Sequence, residues 1–125
     1  MAVRFNTAKQ VALAAAGVND LTALDVYTGA QPASANTAAS GTLLGTITDI
    51  AWDASGNPAV LDDAPYEGAA IESGTAGWGR FRNAGDTLRM DGAVGSDFTM
   101  ADTSVVDGGT LRLTGASLTQ PSGEA

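Results

Sequence analysis

Large apolar residues are scarce in this chain, and that scarcity constrains its folding more than any other feature. Leu, Ile, Val and Phe together make up 24 of the 125 residues, and alanine contributes another 24. With a net charge of −8, such a composition lies near the level where disorder is expected. The few large apolar residues nevertheless fall at alternating positions in short runs, which is the pattern of a two-layered β fold. We therefore expect a thin-cored β domain that gains stability from neighbouring molecules.

Turn residues separate these runs every eight to twelve residues. This spacing predicts a mainly β fold, an antiparallel β-sandwich of jelly-roll type with seven or eight strands. The first strand is predicted over residues 21–27, with Leu24 and Val26 on one face. The last is predicted over residues 110–118, with Leu111 and Leu113 on one face.

A long loop and a hairpin stand out between these two strands. Residues 28–40 are small and polar, and a loop of this length is usually functional or mobile. The next strand is predicted over residues 42–50, where Gly45 marks a bulge or a close backbone approach. The clearest hairpin joins residues 75–82 to residues 87–94 through a turn rich in Asn, Gly and Asp.

A helix is predicted at one place, near the N-terminus. Residues 9–16 are good helix formers without Pro or Gly, and Asn6 or Thr7 can cap the first turn. The chain is therefore divided into an N-terminal arm with a short helix (1–20), a β-sandwich domain (21–120) and a frayed tail (121–125).

The charge balance argues against two classes of partner. The chain has 14 acidic and 6 basic residues, so its overall field repels the phosphates of nucleic acid and the headgroups of an anionic membrane. Arg80, Arg82 and Arg89 can form at most a small basic patch. No apolar run reaches the ~18 residues of a transmembrane helix. We expect neither a nucleic-acid partner nor a membrane partner.

The residue types also limit the chemistry. The chain contains no Cys and no His, which excludes disulfides, thiolate metal sites and a thiol nucleophile, and removes the commonest general base. Asp62, Asp63, Glu67 and Glu72 cluster in sequence. We interpret this cluster as a solvated acidic loop, with a small hydrolase as a minor alternative.

A turn sequence offers oxygen ligands at alternate positions. Asp53, Ser55 and Asn57 surround Gly56 in a spacing loosely similar to that of calcium ligands. The order differs from that of an EF-hand loop and the bidentate Glu is absent, so an Asx-type turn explains the same residues. We expect no catalytic residue, no cofactor and no resident metal, although calcium at this turn stays open.

Several segments together suggest a family. In order, they are LDVYTGAQP (24–32), GTLLGT (41–46), GTAGWGRF (74–81), DGAVG (91–95) and TSVVDGGT (103–110). Their order resembles a family of small virion proteins of tailed bacteriophages, of the capsid decoration or cement type. The resemblance covers residues 21–118, and its motifs are turns and strands.

The resemblance implies a structural protein of the virion with no enzymatic activity. It implies a chain made in the host cytoplasm that binds between major capsid protein subunits on the exterior of the head, as a homotrimer. A tail- or fibre-associated structural or carbohydrate-binding module is the alternative. That alternative predicts a groove with exposed aromatic side chains among Tyr27, Trp52, Tyr66 and Trp78.

Five residues are candidates for an interface. Arg4, Phe5 and Lys9 precede the predicted helix and carry two of the six positive charges, so this segment is a candidate to dock on the capsid or on a neighbouring copy. Trp52 and Trp78 are interpreted as anchors of the core or of a subunit interface.

Overall fold

A computed structural model of the chain describes residues 8, 12, 20–35, 37–53, 55, 59–62, 65–86 and 89–118. The described part is mainly antiparallel β. Its strands are β1 (Ala23–Thr28), β2 (Leu43–Ile47), β3 (Trp52–Asp53), β4 (Ala59–Leu61), β5 (Tyr66–Ala69), β6 (Gly74–Arg82), β7 (Arg89–Ala93), β8 (Phe98–Met100), β9 (Ser104–Val105) and β10 (Thr110–Leu118).

The strands form two five-stranded sheets. The first sheet has the order β2-β1-β6-β7, and β9 pairs with β6. The second has the order β3-β4-β10-β5, and β8 pairs with β10. Every strand pair in both sheets is antiparallel. The short connections of the chain produce this pattern, since antiparallel strands need only a tight turn between them.

The alternating apolar residues of both sheets meet in one core. Leu24 and Val26 of the first sheet and Leu111 and Leu113 of the second are at most 1% exposed, which confirms the faces predicted for these strands. Phe98 joins them, with its ring edge-on to Phe81 of β6 at a centroid distance of 5.6 Å. Few large side chains thus suffice because they all point into the same layer.

Two glycines allow the edges of the two sheets to approach closely. A Cβ atom on Gly45 of β2 would overlap the carbonyl oxygen of Ala69, and one on Gly68 of β5 would overlap that of Thr46. The register of β1 against β2 also shifts beside Gly45. The prediction of a bulge or close approach at Gly45 is therefore confirmed.

The predicted strand and hairpin boundaries need small corrections. The strand predicted over residues 42–50 ends at Ile47, because Asp49 has a φ of 58°, which breaks an extended backbone. The predicted hairpin is confirmed: β6 and β7 pair from Trp78–Ala93 to Arg82–Arg89.

The predicted N-terminal helix is not supported by the structure. Of its residues 9–16 only Ala12 is described, and Arg4, Phe5 and Lys9 lie outside the described residues. The tail 121–125 lies outside them as well. The proposed division into arm, domain and tail therefore stays a prediction, and the ten strands all fall within its middle segment.

Candidate functional site

The long loop after β1, described over residues 29–35 and 37–41, lies against the first sheet on the face opposite the core. We call these residues the strap. Its two ends are held together, because Thr28 N donates to Thr42 O at 3.1 Å and Thr42 N donates to Thr28 Oγ1 at 2.9 Å. Gly29 and Gly41 begin and end the strap with φ values of 83° and 85°, a conformation that glycine adopts without steric cost. The strap is therefore a closed loop that turns back over the sheet.

Trp78 of β6 is completely buried beneath the strap. The indole stacks on the ring of Tyr27, its neighbour on β1, with centroids 4.7 Å apart and planes at 15°. Its Nε1 donates a hydrogen bond to the backbone oxygen of Ser40 at 3.3 Å. Trp78 is 0% exposed, so it is an anchor for the strap and offers no surface to another molecule while the strap is in place.

Arg80, two residues further along β6, fastens the middle of the strap. Its Nε and Nη2 donate to the two carboxylate oxygens of Asp91 at 2.8 and 3.1 Å, and Nη2 also donates to the backbone oxygen of Thr37 at 2.7 Å. The guanidinium lies 5.4 Å from the centroid of the Trp78 ring, within cation–π range. The side chains of Arg80 and Asp91 are only 4% and 5% exposed.

The burial of this ion pair is compensated by hydrogen bonds. A buried charge is costly unless it is paired and its remaining donors are satisfied. The hydrogen bonds to Asp91 favour the charged guanidinium and raise the pKa of Arg80. Among the described residues, no buried side-chain polar atom lacks a partner.

Two further ion pairs lie on the same face of the sheet. Arg82 donates to Asp25 at 2.8 Å, and Thr46 donates to the same carboxylate at 2.7 Å. Arg89 donates to Asp86 at 2.9 Å. Hydrogen bonding to Asp25 raises the pKa of Arg82, and hydrogen bonding from Arg89 lowers the pKa of Asp86.

Arg89 also reaches the strap and makes the third contact that fastens it. Its Nη1 donates to the backbone oxygen of Ala35 at 3.3 Å. The three side chains from the sheet thus hold three backbone carbonyls of the strap, those of Ala35, Thr37 and Ser40. The strap is therefore held through its backbone, and most of its own side chains are small.

The three central arginines therefore do share one face, as a basic patch requires, but each is neutralised. Arg80, Arg82 and Arg89 each pair with an aspartate. Strand register explains the pair of Arg80 with Asp91, because the two residues lie opposite each other on β6 and β7. Asp25 lies opposite Arg80 on the other side, on β1. This face of the sheet therefore holds the strap in place and presents no excess of positive charge to a partner.

Trp52, the other predicted tryptophan anchor, belongs to a different region. Its Nε1 donates to the backbone oxygen of Leu21 at 2.9 Å, and its ring is edge-on to Phe81 at 5.5 Å. Phe81 faces the core, whereas Trp78 faces the strap. The structure therefore places the two tryptophans on opposite sides of the first sheet and does not bring them into one site.

Two of the other acidic candidates, Asp53 and Glu67, have local partners for their side chains. Asp53 accepts from the backbone N and the hydroxyl of Ser55 at 3.1 and 2.7 Å, an Asx-type turn that lowers the pKa of Asp53. Glu67 pairs with Arg112 at 3.3 Å on the open surface. The phenol of Tyr66 donates to the backbone oxygen of Asp62.

Of the remaining members of these candidate clusters, Glu72 is exposed, whereas Asn57 and Asp63 lie outside the described residues. Within the described ranges, no three His, Cys, Asp or Glu side chains come together as a metal site would require.

A shallow depression lies away from the strap, beside β8 and β10. It has a volume of about 210 Å³ and is lined by residues 95–99 together with Gly115 and Ala116. The carboxylate of Asp97, at this depression, accepts a hydrogen bond from Ala93 N at 2.8 Å. Its one acidic group is therefore used to close the turn after β7.

Sequence reasoning missed Asp25 and Asp91 as members of the site, and it named Tyr27 only as a candidate for a carbohydrate-binding groove. Their signal is present in the alternation of the strands, since Asp25 and Tyr27 share a face of β1. Register was the missing information, because it decides which carboxylate meets which arginine.

Comparison with known proteins adds no relative: no family model, curated protein or solved structure matches the chain. In the described part of the chain, no helix is long and apolar enough to span a membrane.

Proposed function

We propose that this chain is a structural virion protein, a capsid decoration protein that stabilises a phage head by binding between major capsid protein subunits on its exterior. The sequence resemblance described above motivates the proposal. We also infer that the two sheets form an antiparallel β-sandwich of jelly-roll type, because one core layer collects the inward side chains of both.

The observation that carries the proposal is the fastening of the strap. Arg80 and Asp91 are the most deeply buried ion pair among the described residues, and their hydrogen bonds hold a surface loop instead of facing a cavity. A decoration protein requires a surface whose shape does not change under load. Buried, fully satisfied polar networks rigidify a structure and specify one arrangement of it.

The thin core supports association with neighbouring molecules. Among the described residues, four of the sixteen buried hydrophobic ones are alanines, which bury little apolar surface each. Subunit contacts add buried surface that a monomer of this composition lacks. A homotrimer bound to the major capsid protein supplies such contacts. The homotrimer and the contact with the major capsid protein are both parts of the proposal.

Add-back to particles tests the proposed function. Heads are prepared from particles whose gene for this chain is deleted, and DNA release is followed during heating with and without the purified chain. Bound chain is expected to raise the release temperature, whereas an equal mass of an unrelated acidic protein is expected to leave it unchanged. Failure of the chain to sediment with the heads would contradict the proposal.

The tail- or fibre-associated carbohydrate-binding module remains the alternative. It needs accessible aromatic rings, and Trp78 is covered by the strap while Tyr27, Trp52 and Tyr66 are partly buried. Binding of the intact chain to host-surface glycans, with no binding to heads, would favour it.

A further inference from the structure

Large hydrophobic side chains are exposed at three positions among the described residues. Val60 is 40% exposed, Ile71 is 55% exposed and Val106 is 66% exposed. Single exposed apolar residues are common on protein surfaces and need no explanation. The pair Ile71 and Val106 differs from Val60 because the backbone joins their two segments.

The segments 70–73 and 106–109 are hydrogen-bonded to each other. The contacts are Gly108 N to Ala70 O at 3.0 Å, Ala70 N to Gly109 O at 3.0 Å, and Asp107 N to Ser73 Oγ at 2.9 Å. Ile71 N also donates to Leu44 O of β2 at 2.8 Å, and Gly109 N closes a turn on Val106 O at 2.8 Å. The two exposed side chains therefore stand on a backbone tied to the first sheet.

The charges beside this pair are acidic and unpaired. Glu72 follows Ile71 and Asp107 follows Val106, and both are exposed. No ion pair within the described ranges includes either carboxylate, whereas all four described arginines are already paired: Arg80, Arg82, Arg89 and Arg112. None of the described arginines therefore pairs with Glu72 or Asp107.

We propose that Ile71 and Val106 dock into an apolar depression with a basic rim on the major capsid protein. This inference rests on the proposed function and names its contact point. Apolar side chains gain free energy when a partner removes them from water. The flanking Glu72 and Asp107 select a partner of opposite charge, since complementary potentials steer association and exclude wrong partners.

A double variant with a matched control tests the docking pair. Ile71→Ser with Val106→Ser is compared with Val60→Ser, which removes the third exposed apolar side chain, on β4. Binding of each purified protein to heads that lack the chain is measured by co-sedimentation. Burial of two such side chains predicts that the double variant binds about 100-fold more weakly than wild type, while Val60→Ser binds within about threefold of it.

Circular dichroism and the urea midpoint confirm that both variants are folded before binding is compared. If wild type binds and the double variant binds equally well, the docking pair is wrong while the proposed function stands. If wild type itself does not bind to the heads, the proposed function is wrong, and the docking pair that rests on it is wrong as well. These two failures are therefore distinguishable in one experiment.

The charge component has its own measurement. Glu72→Gln with Asp107→Asn is expected to reduce the salt dependence of binding to heads, because fewer complementary charges are screened. An unchanged salt dependence would overturn the basic rim. Sedimentation velocity of wild type and of Ile71→Ser with Val106→Ser identifies the competing occupant, a second copy of the chain: dissociation of an oligomer by the double variant would overturn the capsid assignment.

Discussion

Removing the carboxylate of Asp91 should destabilise the chain far more than an exposed ion pair would. The pair with Arg80 has two hydrogen bonds, at 2.8 and 3.1 Å, and its side chains are 4% and 5% exposed. Breaking a buried pair by removing one partner costs about 3–5 kcal/mol, because the other charge stays buried without compensation. Domains of this size are stable by about 5–15 kcal/mol. Asp91→Ala is therefore expected to remove roughly a fifth or more of the free energy of unfolding.

Urea denaturation followed by tryptophan fluorescence and far-ultraviolet circular dichroism measures this loss. Arg112→Ala is the matched control, because the Arg112–Glu67 pair has both side chains 50% exposed and should contribute at most about 1 kcal/mol. Arg80→Met with Asp91→Leu should recover part of the stability, since no isolated charge is then buried. A loss below about 1 kcal/mol for Asp91→Ala would refute the reasoning.

Three further predictions concern the strap and the rings beneath it. Gly77→Ala should lower stability by about 1–3 kcal/mol, because its Cβ would overlap the backbone of Gly29; an unchanged urea midpoint would contradict the close packing at the strap's base. In Trp52→Phe the remaining Trp78 should emit at short wavelength and resist acrylamide quenching, because it is 0% exposed; ready quenching would show that the strap opens. Burial, and then the charge of Asp25, raises the pKa of Tyr27. The contribution of the neutral Tyr27 phenol to folding stability is therefore complete below the ordinary tyrosine pKa of about 10 and is lost as pH rises through the raised value. Tyr27→Phe should reduce the loss of stability between about pH 9.5 and 11, and an identical alkaline profile would count against this assignment.

The sequence allowed a correct prediction of the faces of the strands, because that information is local. Alternation placed Leu24 and Val26 on one face of β1, and the structure buries both completely. The loop predicted over residues 28–40 corresponds to the connection between β1 and β2, residues 29–42. Small polar residues and a proline mark a loop directly in the sequence.

The role of that loop could not be predicted, because it depends on contacts between residues far apart in the chain. Arg80 meets Thr37 across 43 positions and Arg89 meets Ala35 across 54. Alternation along the strand places Arg80 and Phe81 on opposite faces, but it does not show what covers the face that carries Arg80. Only the register and the path of the strap show that this face is covered.

The two tryptophans illustrate the same limit. Both were interpreted as anchors of a core or an interface, and Trp78 proved to be an anchor for the strap. Composition could not separate it from Trp52, which packs beside the core. The candidates Arg4, Phe5 and Lys9 lie outside the described residues, and their role in docking stays a prediction.

The most direct test of the account counts this chain in the separated parts of the virion. Heads and tails are purified from disrupted particles, and quantitative mass spectrometry gives the number of copies of the chain relative to the major capsid protein in each fraction. The account predicts a fixed ratio to the major capsid protein in the head fraction and none in the tails. Recovery of the chain with the tails, or with neither fraction, would contradict it.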